Sequence, residues 1–106
     1  MNLNPKIAAM IGFAEKSGKL LQGTHAVEDV IRRRRAQLVL AAADLNPKRL
    51  KILKQWCESS GIPMLTCGEK EEYGRLLRKR PLGLLAITDL EMARGVINSV
   101  SGPPKK

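Results

Sequence analysis

The chain has 106 residues, with 19 lysines and arginines against 10 acids, a net charge of +9 and a pI near 10.1. That length supports one domain with a real core, needing no disulfide or metal staple. The charge points to a polyanionic partner, and no apolar run is long enough to span a membrane.

Asn4-Pro5 reads as a helix cap followed by a first-turn proline. Ile7, Met10, Ile11 and Ala14 recur at helical spacing. Ser17-Gly18 ends this helix, with Gly18 at the C′ position. A short strand is expected within Lys19 to Gln22. Gly23-Thr24 opens a second helix with Thr24 as the cap, Val27, Val30 and Ile31 as its apolar stripe, and Arg32 to Arg35 at its end.

Ala36 to Ala43 is nearly unbroken apolar sequence, the pattern of a strand covered on both faces. Asn46-Pro47 repeats the cap-plus-proline signal. The third helix that follows carries a buried stripe of Leu50, Leu53, Trp56 and Cys57, with Lys48, Arg49, Lys51 and Lys54 largely opposite. Ser60-Gly61 ends it. Ile62 to Cys67 is a strand, and Pro63 marks its start or an edge position. A fourth helix is expected from about Glu69 to Lys79, with Tyr73, Leu76 and Leu77 inward. Gly74 within it costs about 1 kcal/mol against alanine and suits close packing. Arg78-Lys79-Arg80-Pro81 is a basic turn, and Leu82 to Ile87 a second doubly covered strand. Thr88-Asp89 caps a last helix with Met92, Ala93, Val96 and Ile97 as its apolar face.

The alternation predicts a three-layer α/β/α sandwich with a largely parallel sheet. Residues 1–100 form one domain in this reading, and 101–106 a disordered basic tail. The start of the chain lacks the charged stretch and cleavage site of a signal peptide, so a cytoplasmic protein is expected.

Phe13, Trp56 and Tyr73 are single occurrences of their types. Such scarcity argues against modules that stack bases on aromatic platforms. Cys57 and Cys67 are expected as reduced, buried hydrophobes. One histidine and no CxxC argue against a zinc site, and no cofactor is expected. His25 has no signposted nucleophile or acid beside it, which points away from catalysis. The P-loop and dinucleotide fingerprints are absent.

A glycine turn that opens a helix, Gly23-Thr24-His25, aims backbone N–H groups outward, as phosphate requires; an ordinary helix start has the same spelling. Arg32, Arg33, Arg34 and Arg35 cannot share one helical face. Four in a row exceed what a helix C-terminus needs, so a phosphate role is favoured over plain solvation. Arg78, Lys79 and Arg80 read the same way. The basic face of the third helix serves solubility equally well. Asp44 and Asp89 follow apolar strands, where α/β folds bind ligands, but capping explains them as readily.

Ser17-Gly18-Lys19-Leu20-Leu21-Gln22-Gly23, Ala36-Gln37-Leu38-Val39-Leu40, Gly61-Ile62-Pro63-Met64, and Tyr73-Gly74-Arg75-Leu76-Leu77 leading to Leu84-Leu85-Ala86-Ile87-Thr88-Asp89 occur in that order. Together they resemble the L7Ae/L30e ribosomal protein family of kink-turn RNA binders, with the greatest likeness to its small bacterial YlxQ-like members. The resemblance covers roughly residues 4 to 98. It implies a four-stranded mixed sheet between helices.

It also implies an RNA surface built from three places: Gly23, Thr24, His25 and Val27 with Lys19 and Gln22 alongside; Asp44 to Asn46; and the loop from Arg78 through Leu82 to Gly83. The family's best kink-turn binders carry an Asn-Glu pair and a later lysine where this chain has His25, Ala26 and Asp29. Each lost base-edge hydrogen bond costs about 1–3 kcal/mol of discrimination. The resulting expectation is a noncatalytic, monomeric RNA-binding protein, ribosome-associated or bound to a structured kink-turn-like RNA mainly through phosphates. The alternative is a protein-interaction module of the same fold, docking on a ribosomal or translation-factor partner.

Overall fold

Among the described residues, five helices alternate with four strands: α1 (Pro5–Lys16), β1 (Leu20–Gln22), α2 (Thr24–Arg32), β2 (Leu38–Ala41), α3 (Pro47–Ser60), β3 (Met64–Thr66), α4 (Lys70–Leu77), β4 (Leu84–Ile87) and α5 (Leu90–Ser101). This computed structural model describes the backbone of residues 3–101 and the side chains of residues 3–99. Of the expected tail, Ser101 falls in α5, and 102–106 lie outside the described residues.

The strands form one sheet in the order β1-β4-β2-β3. β4 pairs antiparallel with both neighbours, Leu21 opposite Ala86 and Val39 opposite Ala86, while β2 and β3 are parallel, Leu40 opposite Leu65. The sheet is therefore mixed, as the resemblance implies, and not largely parallel. Alternation of helices and strands fixes the layers but not strand direction. The segment after α4 decides it: Leu82 N–H donates to the Lys70 carbonyl at 3.1 Å, returning the chain to the end where β3 leaves. β4 must then run back.

Leu38 and Leu40 of β2, with Leu85 and Ile87 of β4, pack beneath α1, α4 and α5. Val39, Ala41, Leu84 and Ala86 pack beneath α2 and α3. Both central strands are buried throughout, as their unbroken apolar sequence requires. Pro63 precedes β3, an edge strand, and accepts from Val39 N–H at 3.0 Å.

Asn4 and Asn46 cap α1 and α3, accepting from Lys6 and Lys48 N–H at 2.7 and 2.8 Å. Asp89 caps α5, accepting from Met92 N–H at 3.0 Å. Thr24 does not cap α2: it is the first helical residue, and Gly23 holds the cap position with no side-chain bond. Trp56 also departs from expectation, standing 38% exposed beside buried Leu53 and Cys57. It lies at the margin of the apolar stripe, about 60° from Leu53 around the helix. The fourth helix is shorter than expected, because Arg78 turns left-handed and stops it.

Cys57 and Cys67 are free and lie in the clusters on opposite faces of the sheet. Burial pushes the Cys57 thiol up to about 11. Tyr73 is fully buried and donates its hydroxyl to the Cys67 carbonyl at 2.6 Å. Burial first, then the neighbouring Cys67 thiol, holds its phenol far above the ordinary range.

Candidate nucleic-acid interface

The C-terminal ends of β1, β2 and β3 and the start of β4 meet at one end of the sheet. Their backbones are laced together there. Gly23 N–H donates to the Leu84 carbonyl at 3.0 Å, Ala42 N–H to Gly83 at 2.9 Å, and Ala43 N–H to Gly68 at 2.8 Å. Leu45 lies across Gly83, where a β-carbon would stand 2.5 Å from its Cδ2. Gly83 thus lets the loop after β2 close on the loop before β4.

At this pole α2 begins with Gly23 at φ 96°, ψ 161°. The first intrahelical bond runs from Val27 N–H to the Gly23 carbonyl at 3.1 Å. The amides of Thr24, His25 and Ala26 precede it and find no acceptor among the described residues. Thr24 and His25 are exposed. Three uncapped N–H groups and the positive end of the helix dipole are the kind of donor set an anion requires.

The second loop contributes less than expected. Asp44 accepts from Lys70 N–H at 3.0 Å and so caps α4, while Asn46 Oδ1 is spent on α3. Both are exposed, leaving the amide nitrogen of Asn46 and the loop backbone for a ligand. In the third segment, Arg78, Lys79 and Arg80 are all exposed and Leu82 is half-buried. Gly74 lets the turn lie against α4, since a β-carbon there would meet the Arg80 carbonyl oxygen at 2.7 Å. The turn is thereby fixed about one helical turn from Lys70, to which Asp44 is bonded.

Three of the candidate sets do not gather at the exposed Gly23 pole. Val27 is fully buried against the sheet and offers nothing to a ligand. Lys19 precedes β1, where its carbonyl accepts from Thr88 N–H at 3.0 Å, at the end of the sheet away from Gly23. Arg32 to Arg35 also lie at that far end, because Arg32 is the last of the nine residues of α2, about 13 Å along the helix from Gly23. They do not reinforce the glycine turn. Gln22 stays beside Gly23, half-buried, with its Oε1 enclosed and without a donor among the described residues.

Asp29 lies one turn into α2 and pairs with Arg33 at 3.1 Å, both groups about half-exposed. Such a pair adds little stability but offsets the charge of Asp29. Glu28 instead pairs with Arg49 of α3. The Ala26 amide and the contact of Leu45 on Gly83 were not among the sequence expectations. A glycine just before a strand hints at close approach but names no partner. Among the described residues no cluster of metal-ligating side chains occurs, and no helix is long and apolar enough to cross a membrane.

A family model described as the ribosomal protein L7Ae/L30e/S12e/Gadd45 family matches residues 5–96. Large ribosomal subunit protein eL8 of Drosophila melanogaster is 32% identical over 78 residues, covering 73% of this chain. The chain spans only 29% of that relative's length. Among solved structures, a Bacillus halodurans protein of unknown function matches with a TM-score of 0.87 at 22% identity, covering 93% of this chain and 100% of its own. A 15.5kD RNA binding protein of Giardia lamblia matches with a TM-score of 0.77 at 21% identity, covering 94% and 92%. Both share the fold.

Proposed function

The chain belongs to the ribosomal protein L7Ae/L30e/S12e/Gadd45 family, and from that premise we propose that it is a noncatalytic, monomeric, cytoplasmic RNA-binding protein acting on ribosomal or another structured RNA. The observation that carries this reading is the uncapped start of α2, where the amides of Thr24, His25 and Ala26 stand free at the pole shared with two other loops. These amides take a phosphate at a sharp backbone bend. Arg78, Lys79 and Arg80 neutralise phosphates further along. His25 reaches a base or a sugar. The names of the eL8 relative and the Giardia protein support RNA as the ligand class.

Recognition is by shape and charge more than by base edges. Ala26 cannot accept from a guanine, and Asp29 carries the wrong sign for a phosphate. A kink-turn is bound through its bend, with weakened dependence on its sheared G·A pairs.

The test is a fluorescence-polarisation titration with a kink-turn RNA and the same RNA with its G·A pairs replaced, at several salt concentrations. Similar, steeply salt-dependent binding to both is expected. Tight binding to the intact RNA alone would show that base readout survives.

No binding to either at low salt would favour a second reading, a protein-docking module for a ribosomal or translation-factor partner. Phe13, 61% exposed at a depression of about 330 Å³ between α1 and α5, supports that reading.

A further inference from the structure

Trp56 is the single tryptophan of the chain and stands 38% exposed. It flanks the buried stripe of α3 on the side turned toward α2, the side on which Arg49 reaches Glu28. Trp56, Ser59 and Ser60 face Ile31 and Arg32 of α2 across a depression of about 310 Å³. That volume lies at the small end of ligand pockets. The depression sits at the far end of α2 from Gly23, so it is no part of the interface described above.

Its rim is cationic. Arg32, Arg34 and Arg35 are exposed and have no carboxylate partner among the described residues, whereas Arg33 is held by Asp29. The chain turns sharply here. Arg34 takes φ 57°, Arg34 N–H donates to Ile31 at 3.0 Å, and Arg35 N–H donates to Val30 at 2.9 Å. Arg32 lines the depression, and Arg34 and Arg35 follow it within three residues of chain. A flat aromatic face, two hydroxyls and several unpaired guanidinium groups are the parts that bind unpaired nucleotides.

We propose that the depression between Trp56 and Arg32 is a second nucleic-acid site, taking a single-stranded segment with one base stacked on Trp56 and the flanking phosphates on Arg32, Arg34 and Arg35. A duplex is disfavoured, because its bases are already stacked. A protein partner is disfavoured by the unpaired charge around so small an apolar surface. The site extends the RNA reading to a second pole and does not depend on the Gly23 pole: loss of one leaves the other intact. Together the two would hold a folded RNA element and a single-stranded flank on opposite ends of one domain.

Because Trp56 is the single tryptophan, its emission reports this site alone. The full chain is titrated with a fluorescently labelled octameric oligouridylate at low salt, following tryptophan emission and RNA anisotropy together. Saturable quenching that tracks the anisotropy is expected. Joint Arg32→Ala and Arg35→Ala substitution, at exposed positions, should weaken binding and lower the salt slope by about 1.4. Trp56→Ala should weaken binding about 5- to 150-fold. His25→Ala and Arg80→Ala should leave the Trp56 quenching unchanged while impairing kink-turn binding.

Binding without quenching of Trp56, or quenching whose midpoint and salt slope the arginine double variant leaves unchanged, overturns the site. So does an absence of binding. Concentration-dependent self-association with a blue shift of Trp56 in RNA-free protein would assign this face to a protein contact and overturn it as well.

Discussion

The carbonyl oxygen of Arg80 lies 2.7 Å from where a β-carbon on Gly74 would stand, and the Lys79 carbonyl oxygen lies 2.9 Å from it. Both obstacles are backbone, so no rotamer change relieves them. Helix propensity alone would make Gly74→Ala stabilising by about 1 kcal/mol. The contact reverses the sign. Gly74→Ala should destabilise by about 1–3 kcal/mol through overpacking, and should weaken RNA binding by shifting the basic turn. Urea midpoints and an RNA titration read the two effects. A variant more stable than the parent would show that the turn does not rest on α4.

Gly23 presents a different constraint. No atom lies within 4 Å of its would-be β-carbon, yet φ 96° and ψ 161° are backbone angles essentially reserved to glycine. Gly23→Ala should therefore cost about 1–3 kcal/mol by strain alone. Relief of that strain rotates the Thr24, His25 and Ala26 amides away from a common focus. RNA affinity should fall further than stability explains. Binding measured well below the unfolding midpoint separates the two; unchanged affinity there would remove these amides from the site.

The layers, the cores and most helix starts were legible because they rest on local chemistry. Asn-Pro pairs announce α1 and α3, and unbroken apolar runs announce β2 and β4. What was not legible depends on contacts between distant residues. The direction of β4 follows from Leu82 returning to Lys70, which no periodicity encodes. Trp56 sits at the margin of a stripe, where a difference of about 60° decides burial. Gly23 and Arg32 to Arg35 are close in sequence and each reads as a phosphate contact. A helix of nine residues sets them at opposite ends. Val27, close in sequence to the exposed turn, points inward by the same helical geometry.

Cys57 should make the fold sensitive to alkaline pH. Its thiol ionises near the ordinary 9.0 when unfolded and at about 11 when folded, because burial penalises the thiolate. The unfolded chain loses its proton first. The stabilising contribution is thus full below about pH 9 and is lost progressively as pH rises through about 11, on the order of 2 kcal/mol. Burial of Tyr73 acts in the same direction from about pH 10 upward, where the unfolded phenol begins to ionise. Stability of the parent and of Cys57→Ala, measured by urea unfolding across that window, tests this. The variant should lose less stability than the parent between pH 9 and 11; parallel curves would mean the thiol is hydrated in the fold.

Arg34 and Arg78, at φ 57° and 59°, are the non-glycine residues that hold positive φ among the described residues. Each ends a helix in the same way. Arg35 N–H reaches back to the Val30 carbonyl at 2.9 Å, and Lys79 N–H to the Gly74 carbonyl at 2.8 Å. Glycine is the usual occupant of that left-handed position, and a side chain there costs roughly 1 kcal/mol. Arg34→Gly and Arg78→Gly should therefore each stabilise the fold by up to about 1 kcal/mol, since neither arginine is buried. The same substitutions remove a phosphate contact. Arg78→Gly should lower the salt slope for structured RNA by about 1, and Arg34→Gly should do so only for the single-stranded oligonucleotide. Stability and affinity would then move in opposite directions, each variant at its own pole. If both variants weaken binding of both RNAs equally, the arginines act as a diffuse field and not as two separate sites.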